Sequence, residues 1–414
     1  MLKMFELIIY WSIILIPFSV AISTGFSNTL LGFLAFGYCG KKFMLRKPPF
    51  WNTPLSWVYF LFVAVALASI MNSSALLYPA NRQGILKLLK YGLIFLICAE
   101  EIRSVEHIKR IVLGLVFAGL LVSVDAFWQL RVGWDFVHHE AVQSCLINLP
   151  RPTGPFPNPN VMGIFLGLIA PLPLGLGLAY YSGKEKISWF IVFLFTAMGI
   201  YLTLSRGSGL GLFVSAFLLA VTLRKKALVV FLAGILLAYP LVMPKNIKTW
   251  AQKRNYNPLV FFFNEDRLSM YMNSMNMISR HPFTGVGINT YSQNYGKYKT
   301  KKAEDYCVTP ESSYAQSNFF QMAGEVGLVG LAVFFLFLGI LFNGLIRAYK
   351  RSNDPYLKAL SVSLIACFTA FLVNGLTESS LYYSRVVIMF WYFVGISLAL
   401  RKFRIPGTPP AQEV

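Results

Sequence analysis

The sequence is short of charge. Aspartate, glutamate, lysine and arginine make up only 13% of its 414 residues, where a soluble domain carries about 25%. With 56% hydrophobic residues and a mean hydropathy of +0.58, that scarcity excludes an ordinary soluble globular protein. Acid is scarcest: 17 acidic residues face 37 lysines and arginines, for a formal charge of +20. Such an excess could suit nucleic acid. Here the basic residues fall in short clusters between apolar runs, so no nucleic-acid partner is expected. Also missing are a repeat at a period of roughly 20 to 50 residues and any low-complexity segment beyond the tail "PGTPPAQEV". Cysteine is sparse, five in all.

What remains is apolar length. A membrane span needs about 20 mostly apolar residues. The runs near 5–23, 27–40, 54–72, 84–99, 109–130 and 160–181 predict one set of helices, and those near 188–205, 207–223, 227–243, 324–346, 357–377 and 383–400 a second. The first run is too long and too lightly charged at its start for a cleavable signal peptide. Aromatics reach 16%, as suits membrane interfaces. Numbered alternately, one side receives Lys3, "KKFMLRK", "RSVEHIKR", "GKEK", "RKK", "RAYKRSNDPYLK" and "RKFR". The positive-inside rule makes that side cytoplasmic, with both termini. The other side receives loops near 73–83, 131–159 and 244–323, and tight turns at 205–207 and 378–382. The expectation is an all-α polytopic membrane protein of about 12 transmembrane helices. Helices would fill 1–243, a long external loop region 244–323, further helices 324–403, and a cytoplasmic tail 404–414.

Four arginines share the external side: Arg151 in "LPRPTGPFPNPN", Arg206 in "TLSRGSGLG", Arg267 in "NEDRLSMYMNSM" and Arg280 in "ISRHPFTGVG". Charge in a turn between membrane helices is costly unless paired or functional, and arginine donors suit phosphate oxygens. The plain alternative is a snorkelling anchor. Gly207, Gly209 and Gly211 leave room for close backbone approach or tight helix packing. "GPFPNPN" reads as a proline-stiffened turn capped by Asn160. "HPFTGVGINTY" lacks the Walker lysine, which excludes an NTPase. Glu325 stands where "SSYAQSNFFQMAGEVGLVG" turns apolar; it either serves an external site or caps its helix.

"RPTGPFPNPNVMGIFLGLIAPL", "LTLSRGSGLGLFVS", "RHPFTGVGINTY" and "AQSNFFQMAGEVGLVGLAVFF" together resemble the successive signatures of the O-antigen ligase and O-antigen polymerase superfamily. They stand in the family's order over roughly residues 150 to 345, and the topology is similar, with a long periplasmic loop between helices 9 and 10. The resemblance implies a GT-C-type glycosyltransferase in the bacterial inner membrane. Such an enzyme moves a glycan from undecaprenyl diphosphate to an acceptor hydroxyl at the periplasmic face: a lipid A-core sugar in ligases, another repeat unit in polymerases, a protein side chain in related oligosaccharyltransferases. Ligases of the family need neither ATP nor a metal, and the remaining partners are membrane lipids. Arg206 and Arg267 match family motifs and become candidates for the donor diphosphate; Arg151 and Arg280 match more loosely.

The sequence departs from the family at Gln316 and Ser317, where ligases commonly show a His-Asn pair; Glu325, Gly327 and Gly330 fit. Glutamine can bond an acceptor hydroxyl but cannot take its proton. Glu311, Glu325, or His138 or His139 in the facing loop are then the candidate bases, and Tyr314 joins Gln316 and Glu311 at the expected acceptor site. The departure weighs against a ligase relative to a polymerase. A transporter of lipid-linked glycans is the reading from another class; it would show repeated halves, and none is convincing. Cys145 and Cys307 both fall in external loops, where they either pair or stay free thiols.

Overall fold

The computed structural model describes residues 1–48, 53–144, 150–242, 265–299 and 314–403. Helices begin where the sequence supplies caps. Ser23, Thr53, Ser104, Asn158 and Asp354 each accept a backbone N–H from the first turn that follows, and Pro54, Pro159 and Pro355 occupy the first helical position. Asn158 does the capping expected of Asn160, at 3.0 Å from Val161 N. That frees the Asn160 side chain for another task.

The first helices are α1 (Leu2–Ile22), α2 (Thr24–Leu45), α3 (Pro54–Ser69), α4 (Tyr78–Glu101) and α5 (Val105–Val132). Next come α6 (Pro159–Ile169), α7 (Pro171–Ala179), α8 (Gly183–Leu202), α9 (Arg206–Thr222) and α10 (Lys226–Val242). The last five are α11 (Glu265–Arg280), α12 (Tyr291–Tyr295), α13 (Asn318–Arg351), α14 (Pro355–Asn374) and α15 (Ser384–Ala399). Gln143–Ser144 and Pro150–Arg151 add a short antiparallel ladder. The chain is thus an all-α polytopic design, with helices at each expected position. Eight candidate spans among the described residues are long and apolar enough to cross a membrane. Those at α2, α4, α9 and α10 fall short: α9 and α10 by length, α4 by the charge it carries, and α2 by its polar content.

Two expectations differ in detail. The helix placed at 324–346 begins at Asn318, so the run "NFFQMAGE" is helical and largely buried. The region 244–323 contains α11, whose polar composition hid it from a search for apolar runs.

α6–α7, α14 and α15 are the heart of the bundle, with 94%, 72% and 78% of their apolar windows buried, against 22% for α8. Small residues let these helices approach. A Cβ at Gly211 would stand 2.4 Å from Ala370 O, and one at Gly207 2.3 Å from Thr377 Oγ1, while Gly209 faces open space. Gly207 and Gly211 therefore let α9 pack closely on α14 and the turn that follows it.

The basic clusters gather at one end of the bundle. Lys41, 2% exposed, reaches Glu101 at 2.7 Å and Glu6 at 3.2 Å. Lys402 donates to Ile102 O at 3.4 Å. The starts of α6, α9, α13 and α15 lie at the opposite end, and so do the residues singled out by the sequence.

Candidate active site

α13 is broken, and the break organises everything around it. Gly327 has φ 74° and ψ 177°, a conformation essentially confined to glycine. Breaking a helix strands backbone groups that must find partners. The segment His281–Tyr291 supplies them. Leu328 N donates to Pro282 O at 2.7 Å, Val286 N to Gly324 O at 2.9 Å, and Gly287 N to Glu325 O at 3.0 Å. A Cβ at Gly327 would lie 2.0 Å from Phe283 O, and one at Gly285 (φ 69°) 2.4 Å from Glu325 O. The glycines of "HPFTGVGINTY" thus let one backbone dock into another.

Glu325 completes the docking. It is 1% exposed, and its two oxygens receive four donors. Asn289 N (2.7 Å) and the Tyr382 hydroxyl (3.0 Å) reach Oε2; Tyr291 N (3.2 Å) and Gln321 Nε2 (3.1 Å) reach Oε1. A carboxylate has about four acceptor sites, and all are taken. Glu325 therefore does not cap its own helix; it fixes the segment that plugs the break.

The same network holds the strap Tyr314–Ser317. Gln321 Oε1 accepts Ala315 N at 2.7 Å and the Ser379 hydroxyl at 3.2 Å. The Tyr271 hydroxyl donates to Gln316 O at 3.2 Å and Leu376 O at 2.9 Å. Gln316 is held at φ 53°, the left-handed region, where non-glycine residues are uncommon and strained.

Beside the strap lies a buried carboxylate that the sequence reading passed over. Glu378, 2% exposed, accepts Asn160 Nδ2 at 2.7 Å and Arg267 Nη2 at 3.2 Å, both on Oε1. Arg151 Nη2 in turn donates to Asn160 Oδ1 at 2.8 Å, and its Nε to Thr203 O at 2.8 Å. Burial pushes the Glu378 carboxyl above the usual glutamate value, while Arg267, Arg151 and Asn160 pull the other way. Arg206 opens α9 one residue before the Gly207–Thr377 contact, beside the turn that bears Glu378. Arg151, Asn160 and Arg267 are thus joined directly, with Arg206 and Gln316 against the same turn.

The other candidates sort differently. His138 and Tyr314 line one cavity of about 420 Å³ with Lys87, Glu140, Tyr383 and Arg385. His138 also sits 3.8 Å from Asp135. His139 turns away and stacks on Trp134 at 4.5 Å. Arg280 ends α11 exposed, apart from the arginine cluster. Glu311, Cys145 and Cys307 lie outside the described residues. Glu378 could have been found by the reasoning that found Arg206, since both are charges in a short turn between apolar helices.

Residues 191–335 match the family model described as O-Antigen ligase. The match covers less than half of the chain and shows similarity to that family over this segment. It contains Arg206, Arg267, Arg280, Gln316 and Glu325, whereas Arg151, Asn160 and Glu378 come from outside it and complete the cluster. The family places the chain coarsely among membrane glycosyltransferase-like proteins that use lipid-linked glycans and an acceptor. No curated protein matches the sequence. A chain in the solved structure titled "Structural coordination of polymerization and crosslinking by a peptidoglycan synthase complex" is similar at 16% identity and a TM-score of 0.44, over 84% of this chain and 97% of that one. A likeness at that level carries no argument about function.

Proposed function

We propose that this protein transfers a glycan from undecaprenyl diphosphate to an acceptor hydroxyl, at the external face of the bacterial inner membrane and without a metal. The observation that carries the reading is the convergence of Arg151, Asn160 and Arg267 on Glu378, beside Arg206 and the strained Gln316 strap. The acceptor oxygen attacks the anomeric carbon, the bond to the diphosphate breaks, and the electron pair leaves with the diphosphate. Charge gathers on that group in the transition state, where positioned arginine donors contribute most. Arg206 and Arg267 are assigned that role. Glu378 positions Arg267 through Oε1 and offers Oε2 to the acceptor's proton. Gln316 orients the acceptor, and Glu325 holds the framework instead of taking a proton.

An O-antigen ligase acting on lipid A-core is the first form of this reading. The second is a repeat-unit polymerase, favoured by one observation: Gln316 stands where ligases commonly carry histidine. A deletion in the native host, with lipopolysaccharide resolved on a gel, separates them. A ligase leaves lipid-linked polymer and no polymer on lipid A. A polymerase leaves a single-repeat rung. A normal ladder contradicts both.

A further inference from the structure

α11 is built inside out. Its buried face is polar. Arg267 donates to Glu378, and the Tyr271 hydroxyl to Gln316 O and Leu376 O. Asn273 Nδ2 donates to the Tyr295 hydroxyl at 2.8 Å, and Ser274 Oγ lies 2.6 Å from the Tyr291 hydroxyl. Its outer face is apolar. Leu268, Met272 and Met275 follow one another at spacings of four and three, which sets them in one line along a helix, and each is between 42% and 55% exposed. A helix at a water-facing surface does the reverse and turns its apolar side to the core. This arrangement suits an apolar medium outside.

The neighbours of α11 say what that medium is. α11 lies against the outer end of α13: the Tyr271 ring stacks on Phe320 at 4.9 Å, and a Cβ at Gly324 would stand 3.0 Å from Met277 Sδ. Just past α11, Phe283 is exposed, and Pro282 O accepts Leu328 N at 2.7 Å. Leu328 and Val329 are exposed in turn, and with Phe335 and Leu336 they form the outward side of a candidate membrane span. The apolar surface thus passes from the lipid-facing side of α13 through Phe283 to α11. Its rim is basic. Arg280 ends α11 exposed, and Lys297, also exposed, is bonded to the neutral Asn294 side chain at 3.2 Å. Asn276 Nδ2 donates to Tyr298 O at 3.1 Å, and His281 Nε2 lies 3.0 Å from the Tyr298 hydroxyl, which brings Lys297 to the Arg280 end of the helix. An apolar stripe edged by Lys and Arg is the pattern of a helix lying in a membrane surface, and the charge matches anionic lipid headgroups.

We propose that α11 is an interfacial helix seated in the leaflet at this end of the bundle, with Leu268, Met272 and Met275 among the upper acyl chains and Arg280 and Lys297 at the headgroups of anionic phospholipid. The bilayer surface thereby holds the other face of α11, with Arg267 and Tyr271, against the turn that bears Glu378. That consequence for transfer rests on the transferase reading. The seating of the helix does not.

The test places the photo-crosslinker p-benzoylphenylalanine at Met275 of the full-length protein, in nanodiscs of equal parts phosphatidylglycerol and phosphatidylcholine, and weighs the products after irradiation. The expected product is a lipid adduct, with phosphatidylglycerol taken about fivefold over phosphatidylcholine, the scale of one basic residue at an anionic surface. Arg280→Gln with Lys297→Gln should bring the two lipids to equal yield. A cross-link to a second copy, or within the chain, in place of lipid overturns the seating; equal yields without those substitutions overturn the headgroup contact. The crosslinker at Leu268 carries the same test should the first variant not fold. Met272→Asp with Met275→Asp should lower transfer in the same discs about tenfold or more, since a displacement of about 1 Å can cost about a hundredfold. Near-normal transfer by that variant overturns the hold on Arg267. Lipid adducts without any transfer contradict the transferase alone, and transfer without lipid adducts contradicts the seating alone.

Discussion

The carboxylate of Glu325 accepts the backbone N–H of Asn289 at 2.7 Å, across 36 positions of sequence. That bond, with the one from Tyr291 N, ties the segment His281–Tyr291 into a break in α13. Glu325→Ala leaves these buried N–H groups, the Gln321 amide and the Tyr382 hydroxyl without their acceptor. At about 1–3 kcal/mol for each buried group left unsatisfied, the expected result is a fall in Tm large enough to threaten folding. Glu325→Gln should cost less, because one oxygen remains. Hydrogen exchange should report faster opening of residues 285–291 in both variants. Unchanged protection there contradicts the clamp.

Glycine substitutions separate conformation from space. Gly327→Ala forces a Cβ into a glycine-only conformation and 2.0 Å from Phe283 O, so a loss of about 3 kcal/mol or more is expected. Gly209→Ala meets open space within α9 and should be neutral or stabilising by up to about 1 kcal/mol. Thermal unfolding in detergent compares them. A tolerated Gly327→Ala means that the break is not fixed by backbone docking.

Gln316→His should retain or raise transfer, because it restores the residue common in the family, and histidine tolerates the left-handed backbone at φ 53° better than most residues. Gln316→Ala should reduce acceptor use. Steady-state transfer by each purified variant measures this. Abolished activity in a well-folded Gln316→His protein would place the acceptor elsewhere.

The pH response follows from Glu378. Burial raises its pKa above the ordinary glutamate value, so it takes a proton at less acid pH than an exposed glutamate. Protonation removes both the Arg267 ion pair and the site for the acceptor's proton. Turnover should therefore fall on the acid side, beginning above the ordinary carboxylate range, and rise as pH increases through the raised value. Glu378→Gln should lower turnover at every pH and flatten the acid limb. A pH profile that keeps its acid limb in Glu378→Gln assigns it to another group.

Much of this was legible in the sequence, for identifiable reasons. Apolar runs of span length marked where the membrane-length helices lie, since lipid demands such runs. Arg206 stood out as a charge in a short turn between apolar helices, and Arg267 by its match to a family motif. Three features were hidden. α11 is polar, so a hydropathy reading sees a loop. The break at Gly327 depends on a partner segment some forty residues upstream in sequence, which no local pattern announces. Asn158 caps the helix, and the Asn160 side chain, two residues on, instead reaches Glu378, a long-range contact. Local signals placed the elements; pairing across the chain decided what each polar residue does.

The most direct test of the central claim is transfer from a purified undecaprenyl-diphosphate-linked glycan by Arg206→Ala and Arg267→Ala in detergent. The account predicts that each falls by about two orders of magnitude or more, the scale of losing one charge-stabilising donor. Lysine at either position should restore only part, since it keeps the charge and loses the bidentate fork. Near-normal rates in both alanine variants would contradict the account and leave these arginines as anchors at the membrane surface.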